Sequence, residues 1–173
     1  LKLTVPGVPD IYQGNEIWRH CLVDPDNRRP VDYHHRGRML EEIHNACAAG
    51  DHDHASFVYE IAQNLEDGRA KLLLTWKVLN LRKNRPLLFQ KGTYEPLEVL
   101  GSKAHHLCAF ARVHEGLAMI VLAPRLWVGL GDGFADISPR MGTIWEDTRI
   151  VLSGHIEAQN LVDVLTGKSI ADA

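Results

Sequence analysis

The segment from Pro6 to Tyr33, PGVPDIYQGNEIWRHCLVDPDNRRPVDY, constrains the fold of this chain more than any other stretch. It mixes prolines, glycines, aromatic residues and acidic residues, and its apolar residues show neither a period of 2 nor a period of 3.6. A continuous helix or strand therefore cannot run through it. The composition is typical of a long ordered loop, and such loops in compact domains are usually functional.

The flanking patterns place this loop inside one βα unit. The apolar run Leu1–Val5 predicts a strand before the loop, and Asp32 is a suitable N-cap for a helix from Tyr33 to Ala49. In α/β barrels, the loops that follow the carboxyl ends of the strands form the ligand-binding face. Because one strand cannot cover the helices that follow, we expect this chain to be a piece of a longer polypeptide with more strands upstream.

The patterns up to Pro86 predict two more helices. Apolar residues at helical spacing indicate a short helix within Ser56–Asn64 and a longer helix from Arg69 to Asn84. Between the first two helices, Asp51–His54 is interpreted as a solvated turn. A metal site is the less favoured alternative there, because four consecutive residues cannot all face one ion.

From Leu87 onward, short apolar runs alternate with Gly, Pro and charged turns, which is typical of antiparallel strands in a sandwich or open barrel. Strands are predicted over Leu97–Leu100, His106–Val113, Leu117–Leu122, Arg149–Leu152 and Leu161–Leu165. A hairpin turn is predicted at His114-Glu115-Gly116, and Phe110 is expected in the core. The glycine-rich stretch Leu126–Gly142 predicts an irregular loop.

Composition narrows the class of protein. Hydrophobic residues make up 45% of the chain and charged residues 24%, as in soluble globular proteins. A net charge of -3 without a basic stripe argues against nucleic acid as a partner. The sequence contains no run of 18 apolar residues, which is the length that a membrane-spanning helix needs. Cys21, Cys47 and Cys108 are far apart and form no CxxC pair. This spacing indicates neither a zinc site nor a disulfide framework. It predicts reduced thiols in a cytoplasmic protein.

The loop contains the side chains that best suit a polar ligand. Asp24 and Arg28 could fix hydroxyl groups, and the rings of Tyr12, Trp18 and Tyr33 offer apolar faces of the kind that stack on sugars. For Trp18 a place in the core is an equally good interpretation. Paired carboxylates can also catalyse glycoside chemistry, but carboxylates beside arginines more often form ion pairs or cap turns.

Several motifs carry a resemblance to a known family. PGVPDIYQGNE, residues 6–16, resembles the segment after the last barrel strand of α-amylase-type glycoside hydrolases. Five further segments narrow the match to one group within that family. They are DPDNRRPVDY (24–33), DGRAKLLLTWKVLNLRKNRPLLFQKGTYEPLEV (67–99), HHLCAFARV (105–113), W-x-x-T (145–148) and DVLTG (163–167). Essentially the whole chain resembles the C-terminal part of the maltooligosyl trehalose synthases, a group within that family.

The resemblance implies an α+β fold in two domains. Residues 1–88 would be the C-terminal end of the catalytic (β/α)8 barrel, a helical remnant of its last βα unit with the sugar-site loop. Residues 89–173 would be an all-β, antiparallel, sandwich-like C-terminal domain. The missing N-terminal barrel of the same chain would then be the structural partner of residues 1–88.

The resemblance also implies a reaction. The family converts the reducing-end α-1,4 link of a maltooligosaccharide to an α,α-1,1 link by a cofactor-free intramolecular transglucosylation. Its catalytic carboxylates come from strands upstream of the final one, so no catalytic residue and no metal ligand is expected in this chain. The isolated chain is expected to be inactive.

For substrate contacts the resemblance is narrower. In related enzymes the first Asp and the Arg of the Asp-Pro-Asp-x-Arg loop contact sugars, and these match Asp24 and Arg28. We predict that Asp24, Arg28, Tyr12 and Arg29 bind the maltooligosaccharide or α-glucan. Two alternatives remain open. The β domain could be an independent glucan-binding or structural module, or the parent could be a sibling amylase-type hydrolase.

Overall fold

A computed structural model describes residues 1–21, 23–48, 51–130, 143–157 and 161–170. Among the described residues, helices dominate the first half of the chain, and the strands lie in the second half. The α-helices in the described residues are α1 (Asp24–Asn27), α2 (Tyr33–Ala48), α3 (Asp51–Gln63), α4 (Arg69–Asn84), α5 (Pro86–Gln90) and α6 (Trp127–Leu130). The strands are β1 (Thr93–Pro96), β2 (Glu98–Leu100), β3 (Leu107–His114), β4 (Leu117–Pro124), β5 (Arg149–Val151), β6 (Leu161–Val162) and β7 (Ser169–Ile170).

The mixed helix-and-sheet character predicted from the sequence is confirmed, and so are both long helices. The helix predicted over Tyr33–Ala49 is α2, described over Tyr33–Ala48, and the helix predicted over Arg69–Asn84 has those bounds as α4. The loop predicted over Leu126–Gly142 contains a helical turn, α6, at its start. Its remainder, residues 131–142, lies outside the described residues.

The solvated turn predicted at Asp51–His54 is wrong. These residues form the first turn of α3, which extends the short helix predicted within Ser56–Asn64 towards its N-terminus. The reason is that the buried stripe of the helix extends towards the N-terminus as far as His54. His54, Val58 and Ile61 follow helical spacing, and all three are buried. His54 can take this place because the carbon atoms of an imidazole pack as an apolar side chain does.

Contacts between Cα atoms divide the chain into two units, as far as their residues are described. The helical unit contains Pro9–Asn80 and Leu161–Ile170, and the β unit contains Leu1–Val8 and Leu81–Asn160, together with the last three residues. The division into residues 1–88 and 89–173 stays a prediction.

The core of the helical unit joins α2, α3 and α4. Its centre is formed by Ile43 and Ile61, which are 0% and 1% exposed. The other buried members of this cluster are Met39, Val58, Leu72 and Leu73. Leu165, in the turn between β6 and β7, packs against the same cluster. The short β6–β7 hairpin is therefore part of the helical unit.

Arg69, at the start of α4, holds the polar edge of this core. Its guanidinium forms ion pairs with Glu42 at 2.9 Å, Glu60 at 3.5 Å and Asp67 at 2.7 Å. Burial disfavours the charged guanidinium, but the hydrogen bonds and charges of Asp67 and Glu42 outweigh this effect and raise the pKa of Arg69. One cation thus links α2, α3 and the start of α4.

The β unit contains a three-stranded antiparallel sheet in the order β1-β3-β4 and a separate β2–β5 pair. The predicted hairpin is confirmed: β3 and β4 pair along their whole length, and Glu115 and Gly116 form its turn with φ of 48° and 80°. Two consecutive positive φ angles are those of the type I′ turn, which matches the twist of the strands. The run predicted over Leu161–Leu165 is strand only at β6, because a turn begins at Asp163.

Strand β3 is buried on both faces. On one face, Ala109 and Ala111 pack with Leu97 and Ile156. On the other face Phe110 is 0% exposed, as predicted. Arg112 follows Phe110 on that face and is buried too, so the strand does not show the simple alternation of a half-exposed sheet.

The strand predicted over Leu1–Val5 is wrong. The segment forms a turn in which the amide and the hydroxyl of Thr4 both donate to the carbonyl of Leu1, at 2.8 and 2.9 Å. A parallel strand needs neighbours on its edges, and the described residues provide none for this segment. Arg82 instead donates to the carbonyls of Leu3 and Gly7, at 3.0 and 2.9 Å.

Two turns of the β unit are joined by the acidic pair Glu146 and Asp147. Ser102 donates its amide to Asp147 at 2.8 Å and its hydroxyl lies 2.6 Å from Glu146. Thr148, the last residue of the W-x-x-T motif, accepts the amide of Lys103 at 3.1 Å. Hydrogen bonds from Ser102 lower the pKa of both carboxyl groups.

Acidification is therefore expected to weaken this junction. Because the folded-state pKa values are depressed, the stabilisation is complete above the ordinary values of 4.5 and 3.8 and is lost as the pH falls through the folded-state values. Ser102→Ala should lower the thermal stability at pH 7 and have a smaller effect at pH 3. Ser169→Ala, at an exposed serine, is the control. An effect of Ser102→Ala that is the same at both pH values would contradict the assignment.

Candidate functional site

The loop from Pro9 to Asp32, in the helical unit, begins with a tight turn. The amide of Asn15 donates to the carbonyl of Tyr12 at 3.0 Å, and Gly14 adopts a φ of 88°. Residues with a Cβ rarely adopt this backbone conformation, so glycine at this position has a structural reason. The turn leaves the ring of Tyr12 45% exposed.

The other end of the loop is closed by the cap of α2. One carboxylate oxygen of Asp32 accepts the amide of His35 at 2.8 Å. This bond lowers the pKa of Asp32, and the charges of His35 and Arg38 act in the same direction. The N-cap predicted at Asp32 is confirmed.

Arg36 ties the two ends of the loop together. Its guanidinium donates to the carboxylate of Glu16 at 3.2 Å, to the carbonyl of Gly14 at 2.9 Å and to the carbonyl of Asp32 at 3.1 Å. Sequence reasoning missed Arg36 as a loop residue. One signal was available: a cation in the first turn of a helix opposes the helix dipole, so its presence there indicates a specific partner.

The middle of the loop contains the candidate sugar-binding pair. The Asp-Pro-Asp-Asn segment forms the single helical turn α1, and Arg28 donates to the carboxylate of Asp24 four residues earlier. Their side chains are 73% and 65% exposed, respectively. The structure therefore brings these two predicted residues into direct contact and leaves most of both polar groups open to a ligand. Exposed ion pairs of this kind contribute only about 0.2–1 kcal/mol to stability, so the pair is a weak structural element.

The other two predicted sugar contacts, Tyr12 and Arg29, lie on the same loop. Arg29 is exposed, and its carbonyl accepts the guanidinium of Arg19 at 2.9 Å. Tyr33 donates its hydroxyl to Gln13, the neighbour of Tyr12, at 3.2 Å. This bond holds the first turn of the loop close to the first residue of α2.

Trp18 is half-exposed, so the interpretation of this residue as part of the core is wrong. Its indole N–H donates to the carbonyl of Leu65, and the ammonium group of Lys71 lies 5.1 Å from the ring centroid. Lys71 also donates to the carbonyl of Ile17 at 3.1 Å. Trp18 therefore anchors the loop to the start of α4, with a cation over one face of its ring.

Three acidic residues of the loop have structural partners: Glu16 binds Arg36, Asp24 binds Arg28 and Asp32 caps α2. These contacts agree with ion pairing and capping as the roles of loop carboxylates. Within the described ranges, no group of three or more His, Cys, Asp or Glu side chains is arranged to hold a metal ion.

Comparison with known proteins supports the resemblance seen in the motifs. No protein-family profile matches the chain. Two curated proteins, from Mycobacterium tuberculosis strains CDC 1551 / Oshkosh and H37Rv, carry the name "Putative maltooligosyl trehalose synthase". Each is 35% identical to this chain over 165 residues, which is 93% of this chain and 18% of the relative. The chain thus spans about one fifth of the length of these proteins.

Solved structures agree. The structure of maltooligosyltrehalose synthase from Arthrobacter ramosus is 32% identical and superposes with a TM-score of 0.67, covering 98% of this chain and 18% of that protein. A crystal structure titled maltooligosyl trehalose synthase is 27% identical, with a TM-score of 0.54 and 96% of this chain covered. The chain is therefore a homologue of the maltooligosyl trehalose synthases over nearly its whole length, and it matches the C-terminal part of their structures.

Proposed function

We propose that this chain is the C-terminal part of an enzyme that converts the reducing-end α-1,4 glucosidic link of maltooligosaccharides to an α,α-1,1 link. The step is an intramolecular transfer. The α-1,4 bond to the reducing-end glucose breaks, and the anomeric carbon on the other side of that bond then bonds to the anomeric hydroxyl of the released glucose. The names and structures of the homologues support this reaction class. The catalytic carboxylates of the proposed enzyme lie outside this chain.

The role of this chain in that enzyme is to bind sugar. The observation that carries this role is the exposed Asp24–Arg28 pair, presented on a loop whose two ends Arg36 holds together. A guanidinium can donate to two vicinal sugar oxygens at once, and a carboxylate accepts from hydroxyl groups. The exposed ring of Tyr12 adds an apolar surface, and Arg29 adds a second cation on the same loop.

The remaining parts of the proposal concern architecture and location. Residues 1–88 complete the barrel that carries the catalytic groups, and residues 89–173 form an antiparallel, sandwich-like β domain. The barrel encoded upstream in the same chain is the partner of residues 1–88. A cytoplasmic location is consistent with Cys21, Cys47 and Cys108, which form no disulfide with one another. No helix in the described residues has the length and apolar character needed to cross a membrane.

Product analysis of the full-length enzyme tests the reaction. Incubation with maltopentaose is expected to give a non-reducing, trehalose-ended pentasaccharide, which chromatography and loss of reducing ends would detect. Glucose and maltose as the main products would indicate a sibling hydrolase and contradict the proposal.

The purified 173-residue chain is expected to show no turnover of maltopentaose, because the catalytic carboxylates of the proposed enzyme are not part of it. The matched control is the full-length enzyme at equal molar concentration. Any turnover by the shorter chain would mean that its own acidic residues perform the chemistry. Titration of the same chain and of its Arg28→Ala variant with maltopentaose tests the β module: saturable heat that persists in Arg28→Ala would indicate a glucan-binding β module, and its absence a structural one.

A further inference from the structure

We propose that Arg19 is a positioning residue, which holds the Asp24–Arg28 turn in the shape that binds sugar. This inference rests on the proposed function of the loop. Arg19 is not among the residues matched to sugar contacts in related enzymes. Its guanidinium connects residues on either side of α1.

The contacts of Arg19 bracket the turn. Its Nε donates to the Sγ of Cys21 at 3.2 Å, and its Nη2 donates to the carbonyl of Arg29 at 2.9 Å. Cys21 lies three residues before Asp24, and Arg29 lies one residue after Arg28. Because a guanidinium is planar and rigid, its two bonds fix the separation of the two ends of the turn.

Gly14 provides the space that Arg19 occupies. A Cβ atom at Gly14 would lie 2.3 Å from Nη1 of Arg19 and 3.0 Å from its Cδ, closer than nonbonded atoms approach. The carbonyl of Gly14 is in turn held by Arg36, which extends from α2. The position of the Arg19 guanidinium is therefore fixed from the helix through the first turn of the loop.

Such support is needed because α1 cannot hold its own shape. It contains four residues, and isolated helical segments of this length are not stable in water. The Asp24–Arg28 ion pair is exposed to solvent, and a pair of this type adds little stability. Without Arg19 the turn would sample many conformations, and only the fraction with the correct shape would bind.

The expected consequence is a change in affinity with little change in the chemical step. When only a fraction of the molecules is competent to bind, the apparent dissociation constant rises by the inverse of that fraction. Loss of a hydrogen bond from a charged group corresponds to about a 10- to 100-fold change, and we expect the lower end here because the thiol of Cys21 is a weak acceptor. Arg19→Met in the full-length enzyme should therefore raise KM for maltopentaose about tenfold, with kcat within about twofold of the wild type.

A double-mutant cycle with Arg28→Ala distinguishes positioning from a general structural role. If Arg19 acts through Arg28, Arg19→Met should raise KM in the wild type and have little further effect in the Arg28→Ala enzyme. Arg19→Lys, which keeps the positive charge but loses the planar fork, should recover only part of the wild-type KM. Arg38→Met, at an exposed arginine of α2, is the matched control and should leave KM unchanged.

Hydrogen exchange of the sugar-free enzyme tests the support without any reference to catalysis. The backbone amides between residues 21 and 29, other than Pro25, should exchange at least tenfold faster in Arg19→Met than in the wild type or Arg38→Met. Additive effects in the cycle, or unchanged exchange in this segment, would overturn the role of Arg19. Exchange in Arg19→Met could accelerate as expected while Arg28→Ala leaves kcat/KM unchanged. This result would contradict the proposal that the loop binds sugar, and therefore also the role of Arg19 in positioning the loop for sugar.

Discussion

Replacing Arg112 with methionine is expected to lower the free energy of unfolding of the β unit by about 3–5 kcal/mol, because the change removes the donor of a buried hydrogen-bond network. Arg112 is 2% exposed. Its guanidinium donates to four backbone carbonyls: Thr93 at 2.9 Å, Thr4 at 3.3 Å, Phe89 at 3.0 Å and Gly92 at 2.9 Å. It therefore joins the N-terminal turn, the end of α5 and the start of β1 to β3.

The large effect follows from what methionine would leave behind. Four buried carbonyls would lose their donor, and each buried polar group without a partner costs about 1–3 kcal/mol if the structure does not relax. Burial lowers the pKa of Arg112, and the charge of Arg82 acts in the same direction. An arginine nonetheless stays protonated at neutral pH, so the carbonyl dipoles are what stabilise its charge.

Urea-dependent hydrogen exchange of the β3 and β4 amides measures this effect directly. Arg149→Met, at an exposed arginine of β5, should change the free energy of opening by less than about 0.5 kcal/mol. Arg112→Lys should give an intermediate loss, because an ammonium group has three donors and no planar fork. A value for Arg112→Met within 1 kcal/mol of the wild type would mean that the carbonyls find other donors.

In the full-length enzyme, Arg28→Ala is expected to lower kcat/KM for maltopentaose about 10- to 100-fold, which is the range for losing a hydrogen bond from a charged group. Arg28 is largely exposed, and its described partner is Asp24, so the side chain is available to a ligand. Because the pair contributes little to folding, the thermal stability of the variant should match that of the wild type.

Two variants control this experiment. Arg28→Lys keeps the charge but cannot donate to two sugar oxygens in one plane, so it should recover only part of the activity. Arg38→Ala, at an exposed arginine of the adjoining helix, should retain full activity. Wild-type kcat/KM in Arg28→Ala would remove the sugar-binding role from this loop.

The parts of the fold that the sequence predicts are those with local causes. Helix α4 follows from apolar spacing and from the proline after its end. The β3–β4 hairpin follows from two apolar runs around Glu115-Gly116, whose residues suit a type I′ turn. The N-cap at Asp32 needs one carboxylate three residues before the amide that it accepts.

The sequence alone could not predict where the arginines point. Arg19, Arg36 and Arg112 all bind backbone carbonyls that are distant in the chain or lie across a loop, and no residue pattern marks a carbonyl as a partner. In the same way, Leu1–Val5 has the composition of a strand, but a strand exists only if another strand pairs with it.

The sequence by itself determined the helices, the hairpin and the relationship to maltooligosyl trehalose synthases, because these depend on local periodicity and on motifs. Only the tertiary structure decided that Arg19 and Arg36 bind backbone carbonyls of the loop from Pro9 to Asp32, and that the side chains of Asp24 and Arg28 are exposed on it. The physical reason is that a long side chain with five donors can reach many carbonyls, and packing selects which of them it binds.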